Sequence, residues 1–304
     1  MRLLLIKNPG SRAGRGKRLW DLWEAGLRGA GAAYRGVETT HVGHARQLAQ
    51  AADDVDVVVA VGGDGTVNEV LDGLIQSGDP TRAMGVLYSG TSPDFCRFHR
   101  IPTDPEQALR ALLSGHVRGV DVVRIAHGTG DGEQTVSHFG CSCSLGMGAA
   151  VARMANRSRW LLGDTLGTAQ AVVRAVLAHR THSIDFALDG DKLTLTQVNH
   201  VFVVKNPFIA SGLKLDLEIA PDDGRLYFVG IHGFGRAQLL RSLPRFYDGT
   251  ITSTENVIVR ECSRVGASCS RPVGLEFDGD PRGCLPIDVA LLPKALKLIG
   301  SDHG

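Results

Sequence analysis

Gly62-Gly63-Asp64-Gly65-Thr66-Val67-Asn68-Glu69-Val70 follows directly on Val55-Asp56-Val57-Val58-Val59-Ala60-Val61. The β-branched run, bounded by turn residues, predicts a short strand buried on both faces of a parallel sheet. The glycines after it permit positive φ and let a bulky anion approach the backbone with no Cβ in the way. A helix is expected from Asn68 through Ile75, so loop amides and a helix N-terminus would face one crevice, where a phosphate would sit. Asp64 repels a phosphate unless a cation or a proton stands between them, which points to Mg²⁺-nucleotide chemistry. Gly-Asp-Gly alone is equally compatible with an ordinary strand-turn-helix bend.

Upstream, Leu3-Leu4-Leu5-Ile6 predicts another buried strand, opening into Asn8-Pro9-Gly10-Ser11-Arg12-Ala13-Gly14-Arg15-Gly16-Lys17. Its hydroxyl and cations are either a solvated helix start or donors to a triphosphate. The spacing is not that of a P-loop. A second strand is expected over residues 34–40, with Thr39 or Thr40 at its end, followed by a helix over 45–52. Met84-Gly85-Val86-Leu87-Tyr88 reads as a further strand that ends in Ser89-Gly90-Thr91-Ser92-Pro93-Asp94-Phe95, and a helix is expected over 104–114. Strands alternating with helices through about residue 120 imply a doubly wound parallel sheet.

The texture then changes. Residues 183–188 and 193–198 alternate at period two around Asp189-Gly190-Asp191, a hairpin signal. Strands over 120–125, 200–205, 225–231, 256–261, 274–277 and 285–291 complete an antiparallel β-sandwich or open barrel with inserted helices. The expected domains are 1–122, a nucleotide-binding α/β unit, and 123–292, with 293–304 returning to the first. Helices are expected over 149–156 and 159–179. Their Arg153, Arg157, Arg159 and Trp160 either pack on the sandwich or touch an anionic membrane surface.

The 304 residues are 43% hydrophobic and 21% charged with a formal net charge of +1, enough chain for two domains and no basic excess for general nucleic-acid binding. Six cysteines lack paired metal spacing, so Cys141 and Cys143 read as small core residues and the reducing cytoplasm is the default. No apolar run is long enough to span a bilayer.

The nine-residue motif, with the Asn8-Pro9 opening and the Gly90-Thr91-Ser92-Pro93-Asp94-Phe95 loop, resembles the diacylglycerol-kinase catalytic domain of bacterial diacylglycerol-kinase-like lipid kinases. Sphingosine and ceramide kinases share that signature, and NAD kinases share its Gly-Gly-Asp-Gly-Thr core. The resemblance implies an ATP- and Mg²⁺-dependent kinase whose acceptor is the hydroxyl of a lipid such as diacylglycerol, with its site in the cleft between domains. It implies nucleotide contacts from Asn8, Thr39, Gly62, Gly63, Asp64, Gly65, Thr66, Val67, Asn68, Glu69, Gly90 and Thr91. Asp64 would organise catalytic Mg²⁺ or share acid-base work. Pro93 stands where the family has Asn, which removes a polar contact.

Farther on, Asn206 to Gly212 occupies the place of the family's Asn-x-x-x-x-Gly-Gly-Gly segment. Ile219-Ala220-Pro221-Asp222-Asp223-Gly224-Arg225-Leu226 resembles a turn that in bacterial members holds a structural Mg²⁺. Asp223 with the carbonyls of Ala220 and Arg225 would be the ligands, or the segment is a plain β-turn. In Glu276-Phe277-Asp278-Gly279-Asp280 the last residue matches the family's proton-accepting Glu. Aspartate can do the same chemistry with one methylene less reach. The implied partners are nucleotide, a hydroxyl acceptor, a transient membrane surface and a second copy of the chain, without nucleic acid. A kinase for a soluble hydroxyl metabolite and a catalytically weak nucleotide- or lipid-binding protein are the alternative readings.

Overall fold

A computed structural model describes residues 1–14, 16–130, 132–147, 173–210, 213–277 and 280–300. The chain divides into two compact units, Met1–Val122 with Leu292–Gly304, and Val123–Leu291. Arg153, Arg157, Arg159 and Trp160 lie outside the described residues, as do Ser211, Gly212, Asp278 and Gly279.

The first unit alternates β1 (Arg2–Lys7), α1 (Lys17–Gly29), β2 (Ala33–Glu38), α2 (His44–Gln50), β3 (Val57–Gly62), α3 (Asp64–Ser77), β4 (Ala83–Tyr88), α4 (Asp94–Phe98), α5 (Pro105–Ser114) and the start of β5 (Val117–Gly128). β2, β1, β3 and β4 are neighbours in that order and all parallel. β3 and β4 are buried at every position, as continuous apolar runs in a parallel sheet require. On one face Trp20, Trp23 and Leu27 of α1 and Ala108 and Leu112 of α5 share a core with Leu3, Leu5, Val57, Val59 and Leu87. The Trp23 indole donates to the Pro105 carbonyl at 3.0 Å, tying the two helices together. α2 packs on α3 at Gly73, where a Cβ would lie 2.3 Å from the Arg46 carbonyl. Asp104 caps α5, its carboxylate accepting from the Gln107 amide at 3.0 Å.

The second unit holds the rest of β5, then β6 (Gln134–Phe139), β7 (Ser142–Gly146), β8 (His182–Leu188), β9 (Asp191–Val204), β10 (Phe208–Ala210), β11 (Leu213–Lys214), β12 (Leu226–His232), α6 (Arg236–Asp248), β13 (Val257–Cys262), β14 (Arg264–Ser268), β15 (Gly274–Phe277) and most of β16 (Asp280–Ile299). β8 and β9 form a hairpin with a two-residue turn, Asp189 at φ 49° and Gly190 at φ 98°. β9 changes partners along its length, its first half paired with β8 and its second half with β7 and β12. The change falls at Gln197, with φ 51°, beside a register shift against β12, the bend of a bulged strand. Val123, Phe139, Cys143, Phe186, Leu195, Val203, Phe228, Val265, Phe277 and Val289 fill the sandwich interior. α6 covers an outer face through Leu239, against Val204, Val229 and Ile231. The last residues of β16 leave this unit and pair in parallel with β4, Lys297 opposite Ala83.

Candidate active site

α3 begins at Asp64, four residues before the expected start at Asn68. Gly62 is the last residue of β3, and Gly63 alone makes the turn as an extended N-cap with φ −94° and ψ −171°. The two glycines therefore do not use the positive φ expected of them. What they supply is room. A Cβ on Gly62 would stand 2.4 Å from the Thr66 hydroxyl, and one on Gly63 would stand 3.2 Å from the Gly90 Cα. The β3 and β4 loops thus touch backbone to backbone beside the N-terminus of α3.

That N-terminus has no side-chain cap, and Asp64 is the acidic residue of its first turn. A 14-residue helix presents a partial positive charge there, with first-turn amides that have no acceptor within the helix. Gly65 and Thr66 belong to that turn. Val67 already donates to the Gly63 carbonyl at 3.0 Å, and the side chains of Val67 and Asn68 are buried. The amides of α3 with no acceptor inside the helix are therefore those before Val67.

Side chains from the loops after β1 and β4 and from the end of β4 surround this turn. Asn8 donates from Nδ2 to Thr66 Oγ1 at 2.9 Å and accepts from the Gly10 amide at 2.9 Å. The Ser11 and Ser89 hydroxyls meet at 2.9 Å, joining the loops after β1 and β4. Tyr88, opposite Gly62 in the sheet, donates its hydroxyl to Asp64 Oδ2 at 2.5 Å. Burial, and then the Asp64 charge, push the Tyr88 phenol far above its usual value, so it stays a donor at any physiological pH. Sequence reading missed Tyr88. Its signal was its position at the end of a buried strand, level with the motif's first glycine.

Gly90 is buried and Thr91 exposed at the mouth of the β4 loop. Pro93 is the N-cap of α4, and the neighbouring polar work falls to Ser92 and Asp94, whose hydroxyl and carboxylate meet at 2.9 Å. Thr39 closes β2, its amide donating to the Lys7 carbonyl at 2.9 Å. The Thr40 hydroxyl is engaged with His41 and His44 at 2.9 and 3.1 Å, and those two rings stack. Glu69 points its carboxylate at α2, accepting from the Gly43 and Ala45 amides at 2.8 and 3.1 Å, so its described contacts hold α2 to α3.

In the second unit, Asp280 opens β16 opposite Phe277. Asp223 Oδ1 and the carbonyls of Ala220 and Arg225 do converge, and they converge on the Lys205 ammonium, at 2.5, 2.9 and 3.1 Å. Burial opposes ionisation of Asp223, but hydrogen bonds from Lys205 and from the Ala220 and Arg225 amides outweigh it and hold the carboxyl below its usual value. Among the described residues no three His, Cys, Asp or Glu side chains form a group that could hold a metal.

The diacylglycerol kinase catalytic domain model matches residues 2–125, and the YegS C-terminal NAD kinase beta sandwich-like domain model matches residues 141–300. A Staphylococcus aureus N315 protein provisionally named a lipid kinase is 25% identical over 256 residues, covering 82% of this chain and 78% of its own. A solved structure of a Bacillus anthracis protein, provisionally named a diacylglycerol kinase, superposes with a TM-score of 0.78 at 20% identity, covering 100% of this chain and 98% of its own. Yeast NADH kinase complexed with NADH superposes with a TM-score of 0.58 at 12% identity, covering 99% and 84%. These superpositions extend the likeness in fold to both units.

Proposed function

Because the chain belongs to the diacylglycerol-kinase-like lipid kinase family and is a nucleotide-using phosphotransferase with an alcohol group as acceptor, we propose that it moves the γ-phosphoryl group of Mg²⁺-ATP onto a hydroxyl of a lipid such as diacylglycerol. The observation that carries this reading is the uncapped N-terminus of α3, set against two glycine-spaced loops, with Asp64 held by Tyr88. Phosphoryl transfer needs positioned donors for the phosphate oxygens and a carboxylate for the accompanying cation more than it needs covalent chemistry. The amides of Gly65 and Thr66, with those of Gly62 and Gly63, hold phosphate oxygens. Asp64 takes the cation that arrives with the nucleotide.

Asn8 and Tyr88 keep this turn in one geometry, and Thr39, Gly90 and Thr91 border the nucleotide. The engagement of Thr40 by two histidines favours Thr39 for that contact. Asp280 accepts the proton of the attacking hydroxyl, an assignment supported by its match to the family's Glu. On this reading the first unit is a doubly wound sheet, with α1 and α5 on one face and the α2–α3 pair on the other. A diacyl acceptor resides in a bilayer, so the protein works from the cytoplasm, peripherally at a membrane surface.

Turnover of Mg²⁺-ATP with diacylglycerol vesicles tests the assignment through Asp64→Asn and Asp280→Ala. Both variants are expected to keep the fold and lose roughly 10²–10⁴-fold in turnover. Normal turnover in Asp64→Asn sinks the phosphate-loop reading, and normal turnover in Asp280→Ala sinks the base assignment.

A further inference from the structure

We propose that the Lys205 ammonium occupies the seat in which the family resemblance implies a structural Mg²⁺, so that this chain holds its 220–225 turn with a built-in cation and binds no divalent ion there. The inference rests on Lys205 and its surroundings, whatever the acceptor of the kinase reaction.

Lys205 follows the last residue of β9 after four apolar residues, and its side chain is 0% exposed. Its amide donates to the Cys141 carbonyl at 2.9 Å, which fixes the root of the side chain. At the tip, an ammonium carries three N–H donors. Three oxygens receive them: the Ala220 carbonyl at 2.9 Å, Asp223 Oδ1 at 2.5 Å and the Arg225 carbonyl at 3.1 Å. These are the three groups that the resemblance assigns as metal ligands.

The spacing suits nitrogen rather than Mg²⁺, which draws its oxygens to about 2.0–2.1 Å and demands near-octahedral surroundings. Asp223 is wound into the turn besides, Oδ2 accepting from the Ala220 amide at 2.8 Å and Oδ1 from the Arg225 amide at 3.0 Å. A divalent ion could enter only by displacing a buried ammonium from its carboxylate. A buried ammonium is costly unless paired and hydrogen-bonded, and here the pairing is complete within one turn of chain. If the chain needs Mg²⁺ for catalysis, that need then comes from the nucleotide alone.

The test is thermal unfolding of the nucleotide-free full chain in EDTA and in millimolar MgCl₂, MnCl₂ or CaCl₂, with metal content measured by mass spectrometry. The wild type is expected to unfold at one temperature in all four solutions and to carry no stoichiometric divalent metal. Lys205→Ala opens the cradle. It is expected to unfold at lower temperature in EDTA and to regain roughly 5 °C or more with a divalent ion, a response absent from Lys205→Ala/Asp223→Asn. Lys205→Met, which fills the seat without charge, is expected to be destabilised and indifferent to metal. Divalent stabilisation of the wild type that Asp223→Asn abolishes would overturn the proposal, and so would a folded Lys205→Ala indifferent to every ion. If Lys205→Ala fails to fold, the wild-type comparison decides alone.

Discussion

Gly90→Ala probes the close approach of two loops on which the proposed phosphate site depends. Gly90 is not at positive φ, so alanine brings no backbone strain and the effect is purely steric. The new Cβ would lie 2.5 Å from Tyr88 Oη, 2.7 Å from Tyr88 Cζ and 2.6 Å from the Gly63 Cα. Carbon atoms rest about 3.5–4.0 Å apart, so something must move by about 1 Å. Neither neighbour yields cheaply. Gly63 is the backbone cap of α3, and the Tyr88 ring is held by its bond to Asp64. Overpacking of this kind costs about 1–3 kcal/mol, which lowers Tm by roughly 3–10 °C in a unit of this size. A 1 Å displacement of the turn would reduce turnover about 10²-fold. Gly29→Ala is the matched control, since Gly29 ends α1 with nothing within 4 Å of its added Cβ. There the same methyl group is expected to stabilise by about 0.5–1 kcal/mol through helix propensity. Differential scanning calorimetry and nucleotide turnover on the two variants read the contrast. Equal stability and equal turnover would refute the steric argument.

Tyr88→Phe removes one hydrogen bond to a carboxylate, for which about 1.5–3 kcal/mol is ordinary, so kcat/KM is expected to fall roughly 10–100-fold in a steady-state assay. Asp104→Ala deletes the cap of α5 and is expected to cost about 1 kcal/mol in urea titration, leaving turnover intact. Burial, and secondarily the His179 charge, lower the His200 imidazole to about 3. In the unfolded chain it protonates near 6.5, so between these values the unfolded state binds the extra proton. Stability should therefore fall as pH drops from about 6.5 toward 3, by up to about 1.4 kcal/mol per pH unit from this group, and His200→Gln should flatten that slope in urea titrations at pH 7 and pH 5.

The parts of the fold that local chemistry determines could be read from sequence. Val57 to Gly62 is buried throughout because a continuous apolar run has no polar face to show. Asp189-Gly190 makes its hairpin because those two residue types tolerate left-handed backbone. Cys141 and Cys143 are buried, as small apolar residues should be. What could not be read depends on contacts distant in the chain. Sequence reads Gly62 and Gly63 as free to take positive φ and open to an approaching anion, but which protein atoms approach them, Thr66 and Gly90, only the fold reveals. Glu69 matched a nucleotide motif, yet its carboxylate serves the start of α2. α6 escaped notice because it carries Pro244 in its interior and its apolar face is narrow, with only Leu239 and Ser242 buried. Lys205 left one signal, a lysine at the end of the apolar run Val201-Phe202-Val203-Val204, and its partners lie 15 to 20 residues away.

The central claim is γ-phosphoryl transfer to a lipid hydroxyl, and its most direct test follows label from γ-labelled Mg²⁺-ATP into a mixed lipid extract and, in parallel, a soluble metabolite extract. The account predicts label in the organic phase, abolished by Asp64→Asn. Label confined to a soluble product, or no transfer to either extract, would contradict it.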